Sequence, residues 1–226
     1  MWEDVNHDGV QDSVEPGVNG VTTTLYLNGV PVSETHTYVF GGRDGYYTFT
    51  NLISGTYSVT FAAPVAYEFT LADNTGDTSD SDAASVVRGP SSIVGTTGDY
   101  MLSAGGDIPT VDAGIWRPAN LGDYVWEDLN HDGVQDSVEP GVDGVVVTLL
   151  DNAGHIISTV ATYQGGPLNS HGYYTFTNLI SNTYVLSFTI PNGYQATLSN
   201  HGNTDADDSD GALVGGLAAG RIQPDD

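Results

Sequence analysis

Residues 2–18 read WEDVNHDGVQDSVEPGV and residues 126–142 read WEDLNHDGVQDSVEPGV, so only Val5 and Leu129 differ among 17 positions. The chain is therefore two copies of one module, and its fold must be reached twice by about half the residues. The match resumes with YTFTNLISGTY at 47–57 against YTFTNLISNTY at 174–184, where the offset has grown from 124 (126 − 2) to 127 (174 − 47). The second copy thus carries three extra residues in an intervening loop. A third match, DSDAA at 80–84 against DSDGA at 208–212, keeps the order. Two domains are expected, residues 1–118 and 119–226, each large enough for a real but thin core.

Between these landmarks apolar residues alternate, as in Tyr47 and Phe49, then Tyr57, Val59 and Phe61, and again in Tyr174 and Phe176, then Tyr184, Leu186 and Phe188. A period of two is the mark of half-buried strands. Asn28-Gly29, Asp44-Gly45 and His171-Gly172 read as turns between short Val, Thr and Tyr-rich runs, and no stretch has the period of a long amphipathic helix. The fold class expected is all-β, with two tandem Ig-like or prealbumin-like β-sandwiches.

The two copies end differently. Residues 120–125, NLGDYV, form a strand-like lead-in to the second copy that the first lacks, and residues 110–118, TVDAGIWRP, close the first copy with no counterpart after Arg221. The first copy is expected to miss its first strand and the second its last, as in a window cut from a longer array. Neighbouring copies or further sequence would then supply the absent strands.

Composition narrows the function. The formal charge is −25, with 29 acidic residues against four basic ones, Arg43, Arg88, Arg117 and Arg221. No basic patch can form to neutralise phosphates or an anionic bilayer, so no nucleic-acid partner and no membrane insertion are expected. Lysine and cysteine are both absent. A small domain without disulfides needs another staple, and bound metal is one. Six of the acids are glutamate, leaving 23 (29 − 6) aspartates, the shorter carboxylate that suits tight turns and metal loops. With 39% apolar residues and 13 tyrosines the chain is too hydrophobic for a disordered acidic tail.

The repeated block holds the densest chemistry. Asp4, Asn6, Asp8, Gly9, Asp12 and Glu15 fit the twelve-residue calcium loop D-x-[DN]-x-[DN]-G-x5-E, and Asp128, Asn130, Asp132, Gly133, Asp136 and Glu139 fit it again. In that pattern side-chain oxygens at positions 1, 3, 5 and 9 surround one ion, the carbonyl of position 7 (Val10, Val134) adds a ligand, and the final glutamate binds through both oxygens. The glycine permits a sharp turn. The flanks, Trp-Glu before and Pro-Gly after, suit a strand and a turn rather than the helices of an EF-hand. His7 and His131 fall at position 4, which points to solvent.

A second acidic cluster comprises Asp77, Asp80 and Asp82, and in the other copy Asp205, Asp207, Asp208 and Asp210. Like charges at ~5 Å and an effective dielectric near 20 repel by about 3 kcal/mol per pair before screening, so an ordered cluster calls for a counter-ion.

The segments GDYVWEDLNHDGVQD at 122–136 with EPG at 139–141, GYYTFTNL at 172–179 and DSD at 208–210 together resemble the SdrD-type B repeats. These are calcium-binding B domains of serine-aspartate repeat surface adhesins, related to collagen-adhesin B domains. The resemblance covers nearly all of the second copy and most of the first. It implies a β-sandwich with several calcium ions per domain, set in the stalk of a long extracellular protein. Ca2+ would be held by the loop residues named above, with a further ion at the Asp-Ser-Asp motif.

The expected function is a calcium-stabilised structural spacer, cell-surface or secreted, whose partners are neighbouring repeats of the same kind. The short junction at 117–121, with one proline, would limit swing between copies. One alternative is an adhesive module gripping a glycan or host protein through Trp2, Trp116 or Trp126, and another is a filament subunit that assembles by strand addition. No G-x-S-x-G elbow, H-E-x-x-H motif or P-loop is present, so an enzyme is not expected.

Overall fold

A computed structural model describes residues 1–72, 78–90, 92–199, 201, 208–214 and 217–222. The chain divides into two compact units, Met1–Pro118 and Ala119–Asp226, and the described residues are strands and turns without a helix. Both units are β-sandwiches.

Unit 1 contains β1 (Trp2–Glu3), β2 (Thr22–Leu27), β3 (Val30–His36), β4 (Tyr38–Phe40), β5 (Arg43–Tyr46), β6 (Gly55–Ala63), β7 (Glu68–Phe69), β8 (Ser85–Arg88), β9 (Ile93–Thr96), β10 (Tyr100–Leu102) and β11 (Gly114–Trp116). The larger sheet runs β3-β2-β6-β9-β8, with β10 also pairing β6, and the smaller runs β1-β11-β7. In β6 the side chains of Tyr57, Val59, Phe61 and Ala63 are buried and those between them are half-buried, as the period of two requires. They pack with Val21 and Leu25 from the β2 side against Phe69 of β7 and Ala113 and Ile115 at β11, so both sheets feed one core.

Unit 2 contains β12 (Ala119–Leu121), β13 (Val146–Asp151), β14 (Ile156–Ala161), β15 (Tyr163–Gly165), β16 (Ser170–Tyr173), β17 (Phe176–Leu179), β18 (Tyr184–Phe188), β19 (Ala212–Val214) and β20 (Leu217–Ile222). Its larger sheet runs β14-β13-β18-β20-β19, and β12 pairs β17. Val147, Leu149, Tyr174, Phe176, Leu179 and Leu186 form its core. The ring of Tyr174 meets Phe188 edge-on at 5.6 Å, just as Tyr47 meets Phe61 at 5.5 Å in unit 1.

Two turn expectations are corrected. Asp44-Gly45 and His171-Gly172 lie inside β5 and β16, not between strands. Their glycines are needed for close approach: φ is +79° at Gly45 and +82° at Gly172, and a Cβ there would stand 2.0 Å from the carbonyl oxygen of Met1 or of Val125. The β4 to β5 turn falls instead at Gly41 and Gly42.

Candidate metal centre

Each twelve-residue loop is wound around its first aspartate. Asp4, 1% exposed, accepts the Gly9 N–H through Oδ2 at 2.8 Å, the Asp8 N–H through Oδ1 at 3.2 Å, and the Thr70 hydroxyl on Oδ2. The Asn6 Oδ1 accepts the Asp8 N–H at 3.1 Å and the Asp8 Oδ1 accepts the Val10 N–H at 2.8 Å. Glu15 reaches back across the loop, its Oε1 taking the Val5 N–H and its Oε2 the Asp12 N–H, both at 2.9 Å. Desolvation pushes the Glu15 carboxyl above its ordinary range, more than those two donors pull it down. Gly9 turns the chain at φ +80°, where a Cβ would lie 2.7 Å from the Leu71 carbonyl oxygen.

The second loop repeats this pattern. Asp128 accepts from Gly133 at 2.9 Å, His131 at 2.6 Å and the Thr197 hydroxyl; Asn130 from Asp132 at 3.0 Å; Asp132 from Val134 at 2.9 Å; and Glu139 from Leu129 at 2.8 Å and Asp136 at 3.0 Å. Desolvation raises the Asp128 carboxyl, but the Thr197, Gly133 and His131 donors outweigh it and hold the group below its usual range.

In both loops an amide nitrogen occupies the space between carboxylates. Asn6 Nδ2 donates to Asp8 Oδ2 at 3.0 Å and Asp12 Oδ2 at 3.2 Å; Asn130 Nδ2 donates to Asp132 Oδ2 at 3.0 Å and Asp136 Oδ2 at 3.1 Å. Among the described residues, no three His, Asp or Glu side chains converge as a finished metal site. The donor set nonetheless suits a hard cation: oxygen only, with an amide that can present either end.

The structure also joins the two acidic segments, which spacing alone left apart. Val10 bridges Asp80 and Val134 bridges Asp208, both antiparallel. The flanking bonds, Gln11 N–H to the Ser79 carbonyl at 2.6 Å and Ser81 N–H to the Gly9 carbonyl at 3.3 Å, make Val10 and Asp80 a non-hydrogen-bonded pair. The Val10 carbonyl is thereby left out of that ladder. Asp80, Ser81 and Asp82 are buried, and Asp82 accepts the Tyr100 hydroxyl at 2.8 Å and the Asp112 N–H at 2.7 Å. Asp208 and Asp210 are half-buried. Asp77, Asp205 and Asp207 lie outside the described residues.

Asp112, which motif reading did not single out, sits beside this cluster with its Oδ1 buried and without a hydrogen bond. Burial pushes its carboxyl up to about 7; the amino terminus opposes the shift, and Asp82 and Asp80 add to it. Thr70 and Thr197 were missed too, although YEFTL at 67–71 and YQATL at 194–198 repeat at the same offset of 127 (197 − 70) and could have exposed them. His131 is exposed as expected, but His7 lies half-buried with its ring 4.2 Å from that of Trp116. Trp2 is fully buried and cannot grip a ligand; Trp116 and Trp126 are half-buried.

A duplicated sandwich carrying a strapped acidic loop in each copy defines a repeat module, and sequence comparison identifies which. The SdrD B-like domain family matches residues 1–115 and 119–222, and the chain belongs to that family. Serine-aspartate repeat-containing protein D of Staphylococcus aureus (strain Newman) is 40% identical over 220 residues, which is 96% of this chain and 15% of that protein. Serine-aspartate repeat-containing protein F of Staphylococcus epidermidis (strain ATCC 12228 / FDA PCI 1200) is 40% identical over 218 residues, 95% of this chain and 12% of that protein. The chain thus spans under a sixth of these relatives. The C-terminal fragment of pilus adhesin SpaC from Lactobacillus rhamnosus GG, a solved structure, covers 78% of the chain at 16% identity and a TM-score of 0.25, a likeness too slight to bear on the fold. The family places the chain outside the cell or at its surface, and no helix among the described residues is long and apolar enough to cross a membrane.

Proposed function

We propose that the chain is a calcium-stabilised spacer in the stalk of a cell-surface adhesin or extracellular fibre, without enzymatic activity. One observation carries this reading: two loops 124 residues apart (128 − 4) fold to nearly the same hydrogen-bond pattern, differing in which N–H meets Oδ1 of the first aspartate, and each is strapped to its own Asp-Ser-Asp segment. The side chains of Asp4, Asn6, Asp8, Asp12 and Glu15 with the Val10 carbonyl hold one Ca2+, and those of Asp128, Asn130, Asp132, Asp136 and Glu139 with the Val134 carbonyl hold another. Each glutamate oxygen that accepts a backbone N–H keeps a second lone pair for the ion. Asp80 and Asp82, and Asp208 and Asp210, serve a further ion in each unit.

Calcium supplies the positive charge that this chain, at −25, almost entirely lacks. The protein's part is to hold the carboxylates in place, and the gain is stiffness in an otherwise self-repelling turn. At a free concentration of a thousand times Kd, each ion adds about 4 kcal/mol, a large share of a small domain's stability. The test is thermal melting of residues 1–226 in calcium, in magnesium and in chelator. A calcium-specific rise of many degrees, halved by Asp8→Ala or Asp132→Ala, is expected; identical melting in millimolar calcium and in chelator overturns the reading.

A further inference from the structure

The larger sheets of both units end on the same edge, and the two sequences treat that edge differently. β3 closes the sheet of unit 1 and β14 that of unit 2, each paired on one side alone among the described residues, to β2 and to β13. Neither the lead-in strand nor the closing strand reaches this edge in the unit that has it: β12 pairs β17, and β11 pairs β1 and β7. An open edge is a row of unpaired N–H and C=O groups, which charge or proline on the strand keeps from pairing with other chains. β3, VPVSETH, carries Pro31 and Glu34; β14, IISTVA, carries neither proline nor charge, and all of it but half-buried Val160 is exposed. The registers align the two strands. Thr24 faces Glu34 as Thr148 faces Thr159, and Tyr26 faces Pro31 as Leu150 faces Ile156, so unit 2 has Thr159 and Ile156 where unit 1 has its two guards.

The neutrality extends past the strand. From Asn152 to Thr204 the sequence holds no Asp, Glu, Lys or Arg, whereas residues 28–76 of the first copy hold Glu34, Arg43, Asp44, Glu68 and Asp73. In a chain with 29 acidic residues, β14 is therefore an approach without like-charge repulsion of its own. The carboxylate that precedes it, Asp151, is occupied by the Ala153 N–H at 2.9 Å, the His155 N–H at 2.8 Å and the His155 ring at 2.9 Å. The backbone is turned outward as well. The Val146 carbonyl accepts the Thr189 N–H at 2.9 Å, on the β18 side, and the Thr162 N–H goes to the Val145 carbonyl at 2.9 Å. Alternation along the ladder then makes Val146 with Ala161, and Thr148 with Thr159, non-hydrogen-bonded pairs, so Thr159 and Ala161 point their N–H and C=O groups to the open side.

We propose that β14 is a homotypic interface, at which two copies of the chain pair their β14 strands antiparallel about a two-fold axis through Thr159. A second copy meets both demands of this edge: it brings an uncharged strand, and its outward N–H and C=O groups lie on the same residues. In the two-fold register Thr159 exchanges two hydrogen bonds with Thr159 of the second copy, and Ile157 of each copy lies against Ala161 of the other, apolar on apolar. Two five-stranded sheets become one. The same pairing through β3 would set Glu34 against Glu34 and offer no N–H at Pro31, so unit 1 is barred from it. The inference goes beyond the spacer reading and is independent of calcium, since it uses no residue of the loops.

The test is sedimentation of the intact chain in calcium, from micromolar to millimolar protein, with amide hydrogen exchange on the same samples, repeated with added dextran as a neutral glycan. Expected are a reversible monomer–dimer equilibrium and slower exchange of the Thr159 and Ala161 amides in the dimer. Thr159→Glu, which gives β14 the carboxylate of β3, should weaken the dimer about tenfold or more, while Val32→Glu, the same charge on the other edge, should leave it unchanged. Should Thr159→Glu fail to fold, Thr159→Cys decides: in a chain without cysteine it should oxidise to a linked dimer faster than Glu34→Cys does. Four outcomes overturn the proposal: a monomer at millimolar concentration, a dimer equally strong in Thr159→Glu, a dimer whose Thr159 amide exchanges as fast as the monomer's, or protection of Thr159 that appears only with dextran. If calcium still raises the melting temperature while no dimer forms, the interface falls and the calcium reading stands.

Discussion

The tetrapeptide Phe-Thr-Asn-Leu occurs at 49–52 and at 176–179; in unit 2 it is strand β17, and in unit 1 it is irregular. The difference is the partner. β17 pairs with β12, where Ala119 faces Leu179 and Leu121 faces Phe176, and residues 1–118 contain no copy of that lead-in. The converse holds at the other end, where Trp2 is sealed by β11 and Trp126 is not. Identical local sequence thus adopts strand or coil, and buried or half-open environments, according to what pairs with it from far along the chain. Sheets are decided pairwise, and two near-identical segments with different partners display this within one molecule.

The comparison can be broken most forcefully at Ile115. Ile115→Ala removes a fully buried side chain with no counterpart among the described residues of unit 2, and should destabilise unit 1 by about 2–5 kcal/mol while unit 2 melts unchanged. Calorimetry that shows both transitions moving together would mean the units do not melt independently. A somewhat smaller effect is expected from pH. Asp112 has a folded pKa of about 7 against an ordinary 3.8, so its contribution is complete below about pH 4 and is lost as pH rises through about 7. In chelator, unit 1 should lose up to a few kcal/mol across that window, and Asp112→Asn should flatten the dependence; an unchanged slope in the variant rejects the assignment. The smallest effect should be the same in both units. Thr37 Oγ1 donates to the Val18 carbonyl at 2.7 Å and accepts the Val21 N–H at 2.9 Å, and Thr162 does the same with Val142 (2.6 Å) and Val145 (2.9 Å). Thr37→Val and Thr162→Val should each cost about 1–3 kcal/mol, and unequal losses in denaturant melts would show that the units differ beyond their edges.

What could be read from the sequence was what repeats or alternates locally. The run Tyr57, Val59, Phe61 announced β6, and the duplicated block announced two modules. The misses share one cause. Asp-Gly at 44–45 has the composition of a turn, yet its glycine serves the Met1 carbonyl pressed against it, a neighbour 44 residues away (45 − 1). Asp112, Tyr100 and Thr70 join the acidic clusters through strand pairings across the sandwich, so no spacing rule within a short window could place them.

The parallel pairing of Trp2 with Gly114 closes unit 1 across 112 residues (114 − 2). A ring that large closes only after its final segment has been made, so this pairing comes later than every local contact of the unit. Completion of the barrier between core and water in unit 1 therefore waits on its last strand, β11.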